Sequence, residues 1–246
     1  MSEILLAFDT ATDRCALALG MPGGEGQPRV EIADFDAPRA ALGRLLPAVE
    51  ILLHECRTAP ADLTAIVVGR GPGSFTGVRI GVATAKGLAH ALGVPAYGVG
   101  TLDAVAWGCA PLTEGLLGVV GDAMRGEVYP ALFRLEGGRA SRLTPDTVMR
   151  PELLIERWAT LAEPLLLVGD GLRKYADVLT PGLAPRPGVD LLPEDSWLPG
   201  GRGLLAAYAA ASEAGAAGDG DPATLLPIYT RLSDAEEAER ARDGAR

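Results

Sequence analysis

Two short stretches carry residue types that could do chemistry. One is Asp9-Thr10-Ala11-Thr12, an acid and two hydroxyls between apolar runs. The other is Gly69-Arg70-Gly71-Pro72-Gly73-Ser74-Phe75-Thr76-Gly77, which follows the apolar run 65–68 and precedes a helical pattern over 74–92. Such a loop can cradle a phosphate, place a nucleophile or turn the chain. A phosphate-binding P-loop needs Lys and Ser/Thr after its last glycine, yet Ser74 is followed by Phe75 and no Lys is near. The dinucleotide pattern G-x-G-x-x-G ends on Ser74 in one register and on Thr76 in the other. A nucleophile elbow centred on Ser74 would need glycines where Pro72 and Thr76 stand. Two readings remain. Ser74 caps the following helix while the glycines turn the chain, or backbone N–H groups at the helix start hold an anion. In the second reading Asp9, Thr10, Gly71, Gly73 and Ser74 are the candidate anion or nucleotide contacts. For Asp9 the simpler alternative is an Asx-type turn, since phosphate loops after such an acid typically need Gly where Thr10 and Ala11 stand.

Metal and thiol chemistry have less to work with. The two histidines are His54 and His90, and His54-Glu55 would need a second His where Thr58 stands to form a zincin helix. Cys15, Cys56 and Cys109 are widely spaced and match no ligand pattern, so neither a metal site nor a disulfide framework is expected. The formal charge of −10 and the lack of a dense Lys/Arg block argue against an unaided grip on nucleic acid, whose phosphates reward basic surfaces. The first five residues lack the basic start of a secretory leader and run into a strand. No apolar run approaches the roughly 20 residues that span a bilayer. A cytoplasmic protein without membrane contact is the expectation.

The elements that must position these residues follow from periodicity. Strands are expected over 4–8, 15–19 and 30–35, then a helix over 38–56 with a kink at Pro47. A strand over 65–68, the glycine loop, a helix over 74–92, a strand over 95–99 and a helix over 101–109 follow. The second half offers strands over 117–121 and 127–135, a hairpin at Gly137-Gly138, a helix over 151–160, a strand over 165–168 and an Ala-rich helix over 203–214. The division expected is 1–110, 111–232 and a charged tail over 233–246. The initial order β-β-β-α-β-α-β-α resembles the ribonuclease-H-like half of actin, heat-shock ATPases and sugar kinases, an α/β fold of two related subdomains.

The two leading helices have unusual outer faces. With Val78 toward the sheet, Val82, Ala85, Ala89 and Leu92 follow at 100° per residue. Arg79, Lys86 and His90 form a polar stripe, and Thr76, Ile80, Ala83, Thr84, Gly87 and Ala91 face outward. In the helix before, Ala40, Arg44, Pro47, Ala48 and Ile51 lie opposite Leu42, Leu46, Val49 and Leu53. Both outer faces are small and nearly uncharged. Gly87 costs about 1 kcal/mol against Ala in a helix interior, and close approach of another helix would explain it. Scattered apolar surface residues are the plainer reading.

Several stretches together resemble the TsaB (YeaZ) family, partner proteins in bacterial tRNA threonylcarbamoyladenosine biosynthesis. They are LLAFDTAT from Leu5, LLPAVEILL from Leu45, VVGRGPGSFTGVRIGVATAKGLAHALGVP from Val67, GVGTLDAVA from Gly98, GDAMRGEVY from Gly121 and PIYTR from Pro227. The resemblance implies an actin-like fold and a supporting role. It makes the chain a non-catalytic relative and partner of TsaD, which transfers threonylcarbamoyl from its adenylate to N6 of the adenosine beside the anticodon in tRNAs reading ANN codons. The first two helices would bind the TsaD homologue, or a second copy of the chain when alone. A TsaE-type ATPase would join the complex, tRNA would be reached only through it, and ATP or ADP and metal would sit on partner subunits, with no cofactor intrinsic to this chain. TsaD-like relatives carry a His-x-x-x-His metal motif that is missing here. The helix start at Ala40 to Arg44 departs from the polar or His-containing start common in the family. The alternative from another class is an independent sugar-kinase-like ATPase working through Asp9 and the glycine loop.

Overall fold

The computed structural model describes residues 3–23, 28–37 and 41–230. Ala40 and the tail over 233–246 lie outside the described residues.

Strands β1 (Leu5–Asp9), β2 (Arg14–Met21), β3 (Arg29–Ile32), β4 (Phe35–Asp36), β5 (Ala65–Gly69) and β6 (Ala96–Val99) build the first sheet, in the order β3-β2-β1-β5-β6 with β4 also on β2. The meander pairs antiparallel and β1, β5 and β6 run parallel. The strand expected over 30–35 is two, because Ala33 and Asp34 leave the ladder. Asp34 turns its carboxylate back to accept from Leu17 N at 2.8 Å and Gly201 N at 3.0 Å.

Alternation divides this sheet's two faces. Leu6, Phe8, Leu17, Leu19, Ile66 and Val68 face α1 (Ala41–Glu55) and α2 (Phe75–Leu92). Ala7, Ala16, Ala18 and Val67 face α7 (Gly201–Glu213). The second set is small, so α7 lies close: a Cβ on Gly201 would sit 2.5 Å from Ala18 Cβ. Helix α1 continues unbroken through Pro47. Helix α2 starts at the Ser74 cap and ends at Gly93, whose φ of 68° is the left-handed conformation glycine tolerates.

Helix α3 (Thr101–Cys109) leads to the second sheet, β11-β10-β7-β8-β9, from β7 (Gly115–Asp122), β8 (Val128–Glu136), β9 (Arg139–Arg142), β10 (Leu165–Val168) and β11 (Val189–Leu191). It repeats the first sheet's plan: an antiparallel meander with two parallel strands beside its first member. One face of it meets α3, where Leu102 lies against Gly121. The other meets α4 (Pro151–Ala159), whose Trp158 occupies the space a Cβ on Gly118 would take. Helices α5 (Asp170–Lys174) and α6 (Ala176–Leu183) complete that side. Helices α3 and α7 pack on each other between the sheets, so close that a side chain on Gly203 would overlap the Ala104 carbonyl. This duplicated plan, β3-β2-β1-β5-β6 answered by β9-β8-β7-β10-β11, is the actin-like, ribonuclease-H-like fold expected from the order of elements. No helix among the described residues is long and apolar enough to cross a membrane.

Candidate functional site

The glycine loop and the Asp9 loop are stitched to each other. Asp9 is fully buried at the end of β1. Its Oδ2 accepts from Thr101 Oγ1 at 2.7 Å and its Oδ1 from Ala11 N at 2.7 Å. Burial pushes its carboxyl above the ordinary value of 3.8, and those two hydrogen bonds oppose the rise. Thr101 Oγ1 also accepts from Gly71 N at 3.1 Å, and Thr101 N donates to Gly71 O at 2.8 Å. Thr10 Oγ1 donates to Gly77 O at 2.6 Å, and Ser74 N donates to Ala11 O at 2.7 Å. Ser74 Oγ accepts from Gly77 N at 3.3 Å, the N-cap bond.

The glycines make this contact sterically feasible. A Cβ on Gly69 would overlap the Asp9 carboxylate, one on Gly77 would overlap Thr10 O, and one on Gly73 would lie 2.6 Å from Ala11 O. Gly71 holds a φ of 89°. The Gly71, Ser74 and Gly77 amides therefore donate within the chain, and the space over the glycines holds the Asp9 loop itself.

Nucleophiles are scarce. Ser74 Oγ is spent as a cap, and His54 and His90 are exposed on α1 and α2. Burial pushes the Cys15 thiol up to about 12 and Cys109 up to about 11, which keeps both protonated at neutral pH. No group of three or more His, Cys, Asp or Glu suited to a metal ion occurs among the described residues.

A cleft of about 330 Å³, open to solvent, separates the halves. Thr12, Gly73 and Thr101 line one wall; Gly121, Asp122, Tyr129 and Asp170 line the other. Sequence reading missed Asp122 and Asp170; the Gly-Asp at each strand end, Gly121-Asp122 and Gly169-Asp170, is the signal it had. Lys174 Nζ lies 2.6 Å from Asp122 Oδ2, and Asp170 Oδ1 accepts from Asp122 N at 2.8 Å. Burial raises the Asp170 carboxyl.

The outer faces of α1 and α2 leave small and apolar residues uncovered. On α2, Gly77, Val78, Gly81, Val82, Ala85 and Ala89 are buried. Thr76, Ala83, Gly87 and Ala91 are exposed, and Ile80 and Thr84 half-buried. A Cβ on Gly87 would meet nothing within 4 Å. On the adjoining α1, Arg44, Pro47 and Ile51 are exposed, while Ala48 is half-buried against the core. Leu46, placed by periodicity on the inner side, is instead 50% exposed, and Ile51 is 59% exposed. The inward positions of α1 are Leu45, Val49, Leu52 and Leu53.

Residues 221–230, on which sequence reading placed no element, run along α2. Ala96 N donates to Gly220 O, Lys86 Nζ to Ala223 O at 3.2 Å, and Ile228 N to Arg70 O at 2.7 Å. Leu225 is buried in the core beneath α1 and α2. Arg79 Nε donates to Tyr229 Oη at 3.2 Å, and the guanidinium lies 3.6 Å from the Phe75 ring centre. The polar stripe of α2 thus fastens this strap.

The comparisons with known proteins agree in direction. A family model described as TsaD, tRNA N6-adenosine threonylcarbamoyltransferase, matches residues 35–168. The tRNA threonylcarbamoyladenosine biosynthesis protein TsaB of Escherichia coli is 39% identical, over 77% of this chain and 81% of that protein. TsaB of Bacillus subtilis is 32% identical, over 78% of this chain and 80% of its own. The solved structure titled YeaZ from Pseudomonas aeruginosa superposes with a TM-score of 0.75 at 30% identity, covering 92% of this chain and 99% of that one. With that identity, coverage and shared fold, the chain belongs to the TsaB (YeaZ) family of tRNA threonylcarbamoyladenosine biosynthesis proteins.

Proposed function

We propose that this protein is a non-catalytic scaffold that binds and stabilises the TsaD homologue of its cell through the outer faces of α1 and α2. The observation that carries the reading is the pairing of two facts. The loops that would do chemistry spend their polar groups on each other, and the neighbouring helices leave a small, apolar face uncovered. Ala83, Gly87 and Ala91 leave room for a partner helix to approach closely, while Ile51, Leu46 and Ile80 supply apolar area at about 25 cal/mol per Å² buried. On this reading the threonylcarbamoyl transfer, with its nucleotide and metal, belongs to partner subunits in the cytoplasm. A TsaE-type ATPase joins the assembly, and tRNA is reached through it. The independent-ATPase alternative would use the cleft where Gly73, Thr12 and Thr101 face Asp122 and Asp170; against it, the Asp9 loop already lies against Gly69, Gly73 and Gly77.

Reconstitution tests this. The chain, the TsaD and TsaE homologues, threonylcarbamoyl-adenylate and unmodified tRNA should together yield modified adenosine. Omitting this chain should remove most of the product, and the chain alone should give none and turn over no ATP. Full modification without the chain, or ATP turnover by the chain alone, would overturn the proposal.

A further inference from the structure

The face between α1 and the strap has a third wall that the helices alone do not supply. Around α2, with Val78 on the sheet, Phe75, Lys86 and Arg79 point to one flank, and Ala83, Thr76, Gly87 and Ile80 follow outward at 100° per residue. The strap lies on that flank, held by Lys86 and Arg79. Its far end leaves large apolar groups in water: Leu226 is 60% exposed and Tyr229 54%, next to Phe75 at 47%. The Tyr229 and Phe75 ring centres are 6.0 Å apart, with Arg79 packed on both. Tyr229 is therefore a positioned ring, which loses little freedom if a partner covers it. Tyr and Arg are among the residues enriched at the energetic centres of protein interfaces.

Charge says what kind of partner fits. The chain carries 32 acidic against 22 basic side chains. Yet the 18 residues of α2 contain Arg79, Lys86 and His90 and no acid. The flank of α2 beside the strap is therefore cationic, and a protein with carboxylates beside a small-residue helix ridge would meet it favourably.

We propose that residues 221–230 form the third wall of the partner-binding face, with Leu226 and Tyr229 as apolar anchors and Arg79 as the cation that meets a carboxylate on a heterologous protein partner. This rests on the reading that α1 and α2 bind the TsaD homologue. The strap adds the edge that sets the partner's orientation.

The test uses the full chain and the TsaD homologue, titrated by calorimetry at two salt concentrations. The variants are Leu226→Ala, Tyr229→Phe, Arg79→Gln and Gly87→Trp, each checked for an unchanged melting curve. Leu226 is largely in water, so its truncation leaves the fold intact. Leu226→Ala should weaken binding about 10-fold, the factor expected of an interface anchor. Arg79→Gln keeps a donor for Tyr229 but removes the charge, and should flatten the salt dependence. Tyr229→Phe keeps the ring and should cost less than Leu226→Ala. Wild-type affinity and salt dependence in Leu226→Ala and Arg79→Gln, with binding lost in Gly87→Trp, would overturn the strap proposal and leave the helix face standing. Wild-type binding by Gly87→Trp would remove the helix face and the strap with it, as would self-association that outcompetes the TsaD homologue.

Discussion

Asp9 is held by two donors, Thr101 Oγ1 and Ala11 N, and both oxygens are needed as acceptors. Asp9→Asn removes a buried charge but turns one acceptor into a donor facing a donor. It should therefore destabilise the chain by about 1–3 kcal/mol, the cost of a buried unsatisfied group, measured by urea unfolding at pH 7. Titration gives a second check. Asp9, Asp34, Asp146 and Asp170 are each raised above 3.8 chiefly by burial. A carboxyl raised on folding binds protons more readily in the native state, so its stabilising contribution is full below 3.8 and lost as pH rises through the folded value. Stability should thus increase as pH falls through the folded values of these groups, which lie above 3.8, and Asp9→Asn should reduce that slope. A flat or opposite slope in urea midpoints would contradict this account of the buried acids. The sequence named Asp9, Thr10, Gly71, Gly73 and Ser74 as a group, and the structure brings them together. It did not convey that the glycines face Asp9, Thr10 and Ala11, because close approach between loops 60 residues apart leaves no local pattern.

Helix α2 was legible at both ends, through the Ser74 cap and Gly93, and along its faces through 3.6-residue periodicity. Helix α1 was legible in extent but not in facing. A run of Leu45-Leu46 and Leu52-Leu53 permits two phases, and Leu46 points to water. The region after residue 138 was the least readable. Strand β11 has three residues, α5 opens on Gly169-Asp170-Gly171, which reads as a turn, and α6 contains Pro181. Their stability comes from packing: Gly182, for instance, admits Ile155 of α4. Two glycines make opposite predictions at this scale. Gly203→Ala should cost about 1–3 kcal/mol, as overpacking does, by wedging α7 from α3. Gly87→Ala meets open space and should raise the free chain's stability by about 1 kcal/mol. Thermal unfolding of both variants checks the pair, and destabilisation by Gly87→Ala would mean that α2's outer face is already covered in the free protein.

Across the whole molecule, one strand plan occurs twice, and the halves share no repeat visible in the sequence because only topology is common. The two sheets are joined through the α3–α7 contact; Arg139 to Glu213 at 3.1 Å ties β9 to α7, and Arg142 to Asp103 at 2.8 Å ties β9 to α3. The first ion pair is exposed and contributes little; the second is half-buried and better held. On the proposed reading, the Asp9 and glycine loops serve the fold, and α1, α2 and their strap present the partner-binding surface. The most direct measurement of that account is light scattering during size-exclusion chromatography, on the chain alone and mixed with its TsaD homologue at concentrations well above micromolar. The account predicts a stable one-to-one complex, lost in Gly87→Trp while that variant melts like the wild type. No complex, with ATP and the TsaE homologue present, or an undiminished complex with Gly87→Trp, would contradict it.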